Sequence, residues 1–147
     1  MRNKKVEADC KVSFCWPLAT SKNERQTMSN ENLKLRTKQF ALRTISLVEC
    51  SPHDMTSTVL GKQLLRSGTS VGANYRAACR SKSVPDFISK MGTVEEEADE
   101  SGYWMELLTD SGKIKLTKVS SLLQEANELT AIAVASINTA RKSTSHR

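Results

Sequence analysis

Two stretches near the middle of this chain place apolar or small residues at alternating steps of four and three. That repeat admits little besides helices packed side by side. The first seam is Leu60, Leu64, Ser67, Val71, Asn74 and Ala78; the second is Phe87, Met91, Val94, Ala98, Ser101, Met105 and Leu108. Flanking them are two more amphipathic stretches. One offers Leu33, Phe40, Ala41, Ile45 and Val48, and the other Val119, Leu122, Leu123, Ala126, Leu129, Ala133 and Ile137. The chain has only three prolines and six glycines, so long helices are not interrupted.

Punctuation between these stretches predicts the connections. The first helix runs from about Glu31 to Cys50 and stops at Pro52, which has no backbone donor to continue it. The second starts with Thr56 or Ser57 as cap and reaches about Arg80. Ser83, Pro85 and Asp86 form a helix start, and Gly112 terminates that third helix. The fourth spans about Thr117 to Arg141. Short turns between long amphipathic helices make sequential neighbours antiparallel, so the expected fold is all-α: an up-down four-helix bundle. It occupies residues 28–142. Residues 1–27 show no helical or alternating period and are expected to be a disordered extension, with Met28 as the natural first residue; 143–147 form a disordered tail.

The second helix carries residues that helices disfavour, in the run "RSGTSVGAN". Folding the second and third helices back on each other around residue 83 offers an explanation. Arg66 then lies opposite Glu100, Ser70 near Glu96 and Glu97, Asn74 opposite Gly92, and Leu64 opposite Gly102. Small residues against large ones would let the two backbones approach. Arg66, Ser67, Ser70, Asn74, Glu97 and Glu100 would make a polar layer, tolerable when its charges are paired. On the third helix Tyr103, Trp104 and Leu107 exceed what one seam needs, and large aromatics beside a polar rim suit an oligomer interface.

Chemistry is harder to find. A di-metal carboxylate site in a bundle needs Glu-x-x-His pairs. Neither His53 nor His146 follows a glutamate by three, so no metal, cofactor or catalytic residue is assigned. The four cysteines, Cys10, Cys15, Cys50 and Cys79, form no C-x-x-C pair and read as free thiols of a reducing cytoplasm. A net charge of +6 permits nucleic-acid contact without announcing it. Lys34, Arg36, Lys38 and Arg43 on the first helix, with Arg76, Arg80 and Lys82 at the end of the second, are the candidate contacts. The competing reading is an ordinary solvated face.

Two motifs carry a resemblance. Arg66, Ser67, Ser70, Val71 and Asn74 come first; Glu96, Glu97, Ala98, Glu100, Ser101, Tyr103, Trp104, Leu107 and Leu108 follow. In order and spacing the chain resembles the small four-helix-bundle proteins encoded within intervening sequences of bacterial large-subunit (23S) ribosomal RNA genes. The resemblance spans about Glu31 to Arg141, with Gly68 and Gly102 standing where relatives often carry larger residues. It implies a cytoplasmic bacterial protein that assembles into a homopentameric ring. Similar bundles serve diversity-generating retroelements, binding a reverse transcriptase and nucleic acid. The family has no established enzymatic activity. Three readings follow: an oligomeric adaptor contacting RNA or an RNA-handling protein, a structural or regulatory oligomer without nucleic acid, and, least supported, a bundle enzyme.

Overall fold

The computed structural model describes residues 24–145, with side chains over 32–144. Four helices follow in order: α1 (Glu24–Glu49), α2 (Met55–Ala78), α3 (Val84–Asp110) and α4 (Leu116–Ser145). No strand occurs among the described residues, and the fold is an all-α four-helix bundle. Two boundaries differ from expectation. α1 begins at Glu24, so residues 24–27 are helical rather than part of an extension, and α4 continues through Ser145. The rest of the expected extension and the last two tail residues lie outside the described residues.

Local chemistry accounts for the ends. Asp54, not Thr56 or Ser57, caps α2: its carboxylate accepts from the Ser57 amide at 3.2 Å and from the Ser57 hydroxyl at 2.8 Å. Ser83 caps α3 by accepting from the Asp86 amide, with Pro85 in the first turn. Beyond α3, Gly112 takes φ 71°, and Lys113 and Ile114 donate back to the Leu108 carbonyl. That turn folds Ile114 under the bundle, where it is buried.

The core follows the predicted seams of α3 and α4 closely. Met91, Val94, Ala98, Ser101, Met105 and Leu108 are buried opposite Val119, Leu122, Ala126, Leu129, Ala133 and Ile137. Phe87 and Leu123 pack against this core from its edge. α2 departs at two positions: Leu60 packs only from the edge of the core, and Tyr75 is buried where Asn74 was expected, while Asn74 donates to the Ser70 carbonyl of its own helix.

α1 departs more. Of its expected apolar side only Phe40 is fully buried; Leu33 and Val48 pack from the edge, while Ala41 and Ile45 stay half-buried. Thr37 and Thr44 take the inner positions, with hydroxyls donating to the Leu33 and Phe40 carbonyls at 2.9 Å. The glycines of α2 explain the exchange. A Cβ on Gly68 would stand 2.7 Å from Thr44 Cγ2, one on Gly61 3.1 Å from Val48 Cγ1, and one on Gly72 3.4 Å from the Thr37 carbonyl oxygen. The glycines therefore bring α2 close to α1, not to α3 as the sequence arithmetic suggested. Gly102 likewise faces Leu123 of α4 rather than Leu64, and Gly92 meets nothing within 4 Å.

These contacts pair rising with falling residue numbers: Thr37 with Gly72, Thr44 with Gly68, Val48 with Gly61. That is the register of neighbours whose chain reverses at each short turn. α1 approaches α4 more sparingly than α2, and the backbones of α1 and α3 do not come into contact.

Candidate functional site

Of the expected polar layer only Ser67 is fully buried, and its partner on α3 is Ser101, which lay outside the expected set. Ser67 and Ser101 are fully buried, with their hydroxyl oxygens hydrogen-bonded at 3.0 Å between α2 and α3. At the rim, Arg66 donates to Glu100 Oε1, which also accepts from Trp104 Nε1 at 3.0 Å. Glu97 Oε1 lies 3.5 Å from Arg66 Nη1, at the limit of a hydrogen bond. The Arg66 side chain is 52% exposed, so this is a surface ion pair beside a buried hydroxyl pair, not a buried salt bridge. Ser70 and Asn74 do not join it.

The two glutamates differ for a physical reason. The hydrogen bond from Arg66 holds the Glu100 carboxyl below its ordinary range. Burial pushes Glu97 up, only partly countered by Arg66, and Glu97 Oε2 is buried with no hydrogen-bond partner among the described residues.

The interface candidates divide. Tyr103 is 52% exposed, its ring 5.1 Å from that of Trp104. Trp104 itself packs against the core and is half-buried, as is Leu107. Outside the candidate set, Leu35 and Leu42 on α1 are also exposed, at 45% and 52%.

The basic candidates divide too. The Arg36 guanidinium is gripped from α4: Nη2 reaches Glu125 Oε2 at 3.1 Å, and Glu125 Oε1 and Glu128 Oε2 close around it. The bond to Glu125 raises its pKa further. Arg43 donates to the Ser121 hydroxyl at 2.8 Å. Sequence reasoning missed this α1–α4 seam, although Glu125 and Glu128 stand three apart on one helix face, and the level-matching used for Arg66 would have found them. Lys34 is half-buried and Lys38 exposed. Arg76, Arg80 and Lys82 are all exposed where α2 runs into the turn before α3. Neither Arg76 nor Arg80 makes an ion pair among the described residues.

A hollow of about 480 Å³ opens at the same end, between Leu33, Arg36, Tyr75, Cys79, Phe87 and Ser136. Its one charged lining group among the described residues, Arg36, is paired with Glu125 and Glu128. At the other end Lys113 Nζ contacts Asp54 at 3.0 Å and ties the α3–α4 turn to the cap of α2. The hydrogen bonds from Ser57 and then Lys113 hold the Asp54 carboxyl down to about 2. Among the described residues no group of three or more His, Cys, Asp or Glu could hold a metal ion, and no helix is long and apolar enough to cross a membrane.

Comparison with known proteins agrees with this architecture. A crystal structure of a protein with unknown function from the S23 ribosomal protein family of Bacteroides thetaiotaomicron is similar at 34% identity and a TM-score of 0.67. The similarity covers 71% of this chain and 97% of that one. No curated protein matches. The family model of the 23S rRNA-intervening sequence protein matches residues 31–135, a span that reaches into all four helices and holds both the Ser67–Ser101 contact and the Arg66–Glu100 pair. The chain belongs to the 23S rRNA-intervening sequence protein family.

Proposed function

We propose that this protein is a non-catalytic, homo-oligomeric adaptor of the cytoplasm, a homopentamer, that contacts RNA or an RNA-handling protein such as a reverse transcriptase. The observation that carries the reading is the exposed cluster Arg76, Arg80 and Lys82 at one end of the bundle. Three cations on one short segment bind phosphate weakly, but symmetry repeats them, and avidity multiplies the effect. Exposed Tyr103 supports self-association, and Cys50 and Cys79, exposed and in no disulfide among the described residues, suit a reducing compartment. The non-catalytic part rests on the two interhelical ion-pair sites, where Glu100 and Glu125 pair with Arg66 and Arg36 and so serve packing between helices.

The second reading, a structural or regulatory oligomer without nucleic acid, is favoured by the capture of Arg36, which removes one cation from the basic set on α1. Fluorescence anisotropy with a labelled fragment of ribosomal RNA, titrated at several salt concentrations, separates the two. The adaptor reading expects binding that weakens linearly in log–log form with salt. The slope should be shallower when Arg76, Arg80 and Lys82 are all changed to Gln. Absence of binding at low salt, to RNA and to a reverse transcriptase alike, favours the second reading.

A further inference from the structure

The exposed line of α3 is acidic around one aromatic, and that of α1 is apolar around one cation, Lys38. On α3 the exposed positions Glu96, Asp99, Tyr103, Glu106 and Asp110 recur at steps of three and four, so they form one line along the helix. None of the four carboxylates is in an ion pair among the described residues, where the acids of α3 that are paired are Asp86, Glu97 and Glu100. α3 as a whole has eight acids and a single lysine. Like charges at this spacing repel, so the strip is an unfavourable feature of a lone subunit. On α1 the exposed line is Leu35, Lys38 and Leu42, with the leucines seven residues and about 10.5 Å apart. Asp99 and Glu106, which flank Tyr103, are separated by the same seven residues.

We propose that a second copy of this chain lays its α1 line, Leu35, Lys38 and Leu42, along the α3 line centred on Tyr103. This rests on the homo-oligomeric reading above and assigns its surfaces. Tyr103 then fills the space between the two leucines, and Lys38 meets the flanking carboxylates. α1 and α3 make no backbone contact within one bundle, and each packs beside α2 and α4, so their outer lines face away from each other. One subunit can therefore use both at once, donating α1 to one neighbour and α3 to the next. That is a heterologous contact, the kind that builds rings rather than two-fold dimers. Electrostatic complementarity sets the register, and the aromatic supplies the anchor.

The test is light scattering and sedimentation of the full chain with Lys38→Glu, with Asp99→Lys plus Glu106→Lys, and with all three changes together. Helix content by circular dichroism checks that each variant is folded. Either reversal alone is expected to weaken self-association at least about tenfold, since it sets like charges face to face. The combined variant is expected to recover it. Tyr103→Ala should weaken association without altering helix content. A wild-type oligomer indifferent to both reversals and to Tyr103→Ala overturns this assignment and leaves the homo-oligomeric reading standing. A monomeric wild type overturns both.

Discussion

Gly68 lies so close to Thr44 that a methyl group on its Cα would stand 2.7 Å from one branch of the threonine and 2.8 Å from the other. Thr44 cannot yield cheaply. It is fully buried, branched at Cβ, and held by its hydroxyl bond to the Phe40 carbonyl. The helix-disfavouring glycine is thus a packing residue, and it fixes how closely α1 and α2 approach.

Gly68→Ala should therefore destabilise the fold by about 1–3 kcal/mol through overpacking, more than offsetting its better helix propensity. Gly92→Ala, at a site that meets nothing within 4 Å, should stabilise by about 0.5–1 kcal/mol. Denaturant unfolding at matched oligomer concentration measures both. Thr44→Ala combined with Gly68→Ala should recover part of the loss.

Much of this was legible in the sequence, and the rest was hidden for identifiable reasons. The seams of α3 and α4 were readable because leucine, valine, methionine and alanine at helical spacing have few other places to go. Arg66 and Glu100 were matched by level alone, and they do meet. Burial depth was not readable, because a rotation of α2 that buries Tyr75 in place of Asn74 also leaves Arg66 at the rim. The inner face of α1 was misread because threonine satisfies its own hydroxyl within a helix and then packs like a small apolar residue.

Glu97→Gln should cost no stability at neutral pH. The Glu97 carboxyl is held above its ordinary 4.5 by burial, so the folded state binds its proton more tightly than the unfolded chain. Its contribution is favourable below 4.5 and is lost as pH rises through the raised folded value. The variant should lack that decline when thermal unfolding is followed across mildly acidic pH.

Asp54 has the opposite sign. Its folded carboxyl titrates at about 2 against an ordinary 3.8, so its stabilisation is complete above 3.8 and is lost as pH falls towards 2. Asp54→Asn should flatten the acid limb of the stability curve in that window. Lys113→Ala should flatten it partly, since Ser57 supplies the larger share of the shift.

Arg36 and Arg76 should separate stability from binding. Arg36→Gln should cost roughly 1 kcal/mol, a modest figure because the pair is partly solvated, and leave RNA affinity unchanged. Arg76→Gln should do the reverse, leaving unfolding unchanged and weakening RNA binding. Equal loss of binding in both would return Arg36 to the contact surface.

The absolute mass of the full chain by multi-angle light scattering, at micromolar concentration and moderate salt, tests the central claim most directly. The RNA-avidity argument and the assignment of α1 and α3 as subunit contacts both need self-association. The account predicts one closed species whose mass is a fixed multiple of the 16.3 kDa chain, fivefold for the pentamer. A mass of 16.3 kDa at every concentration would contradict it.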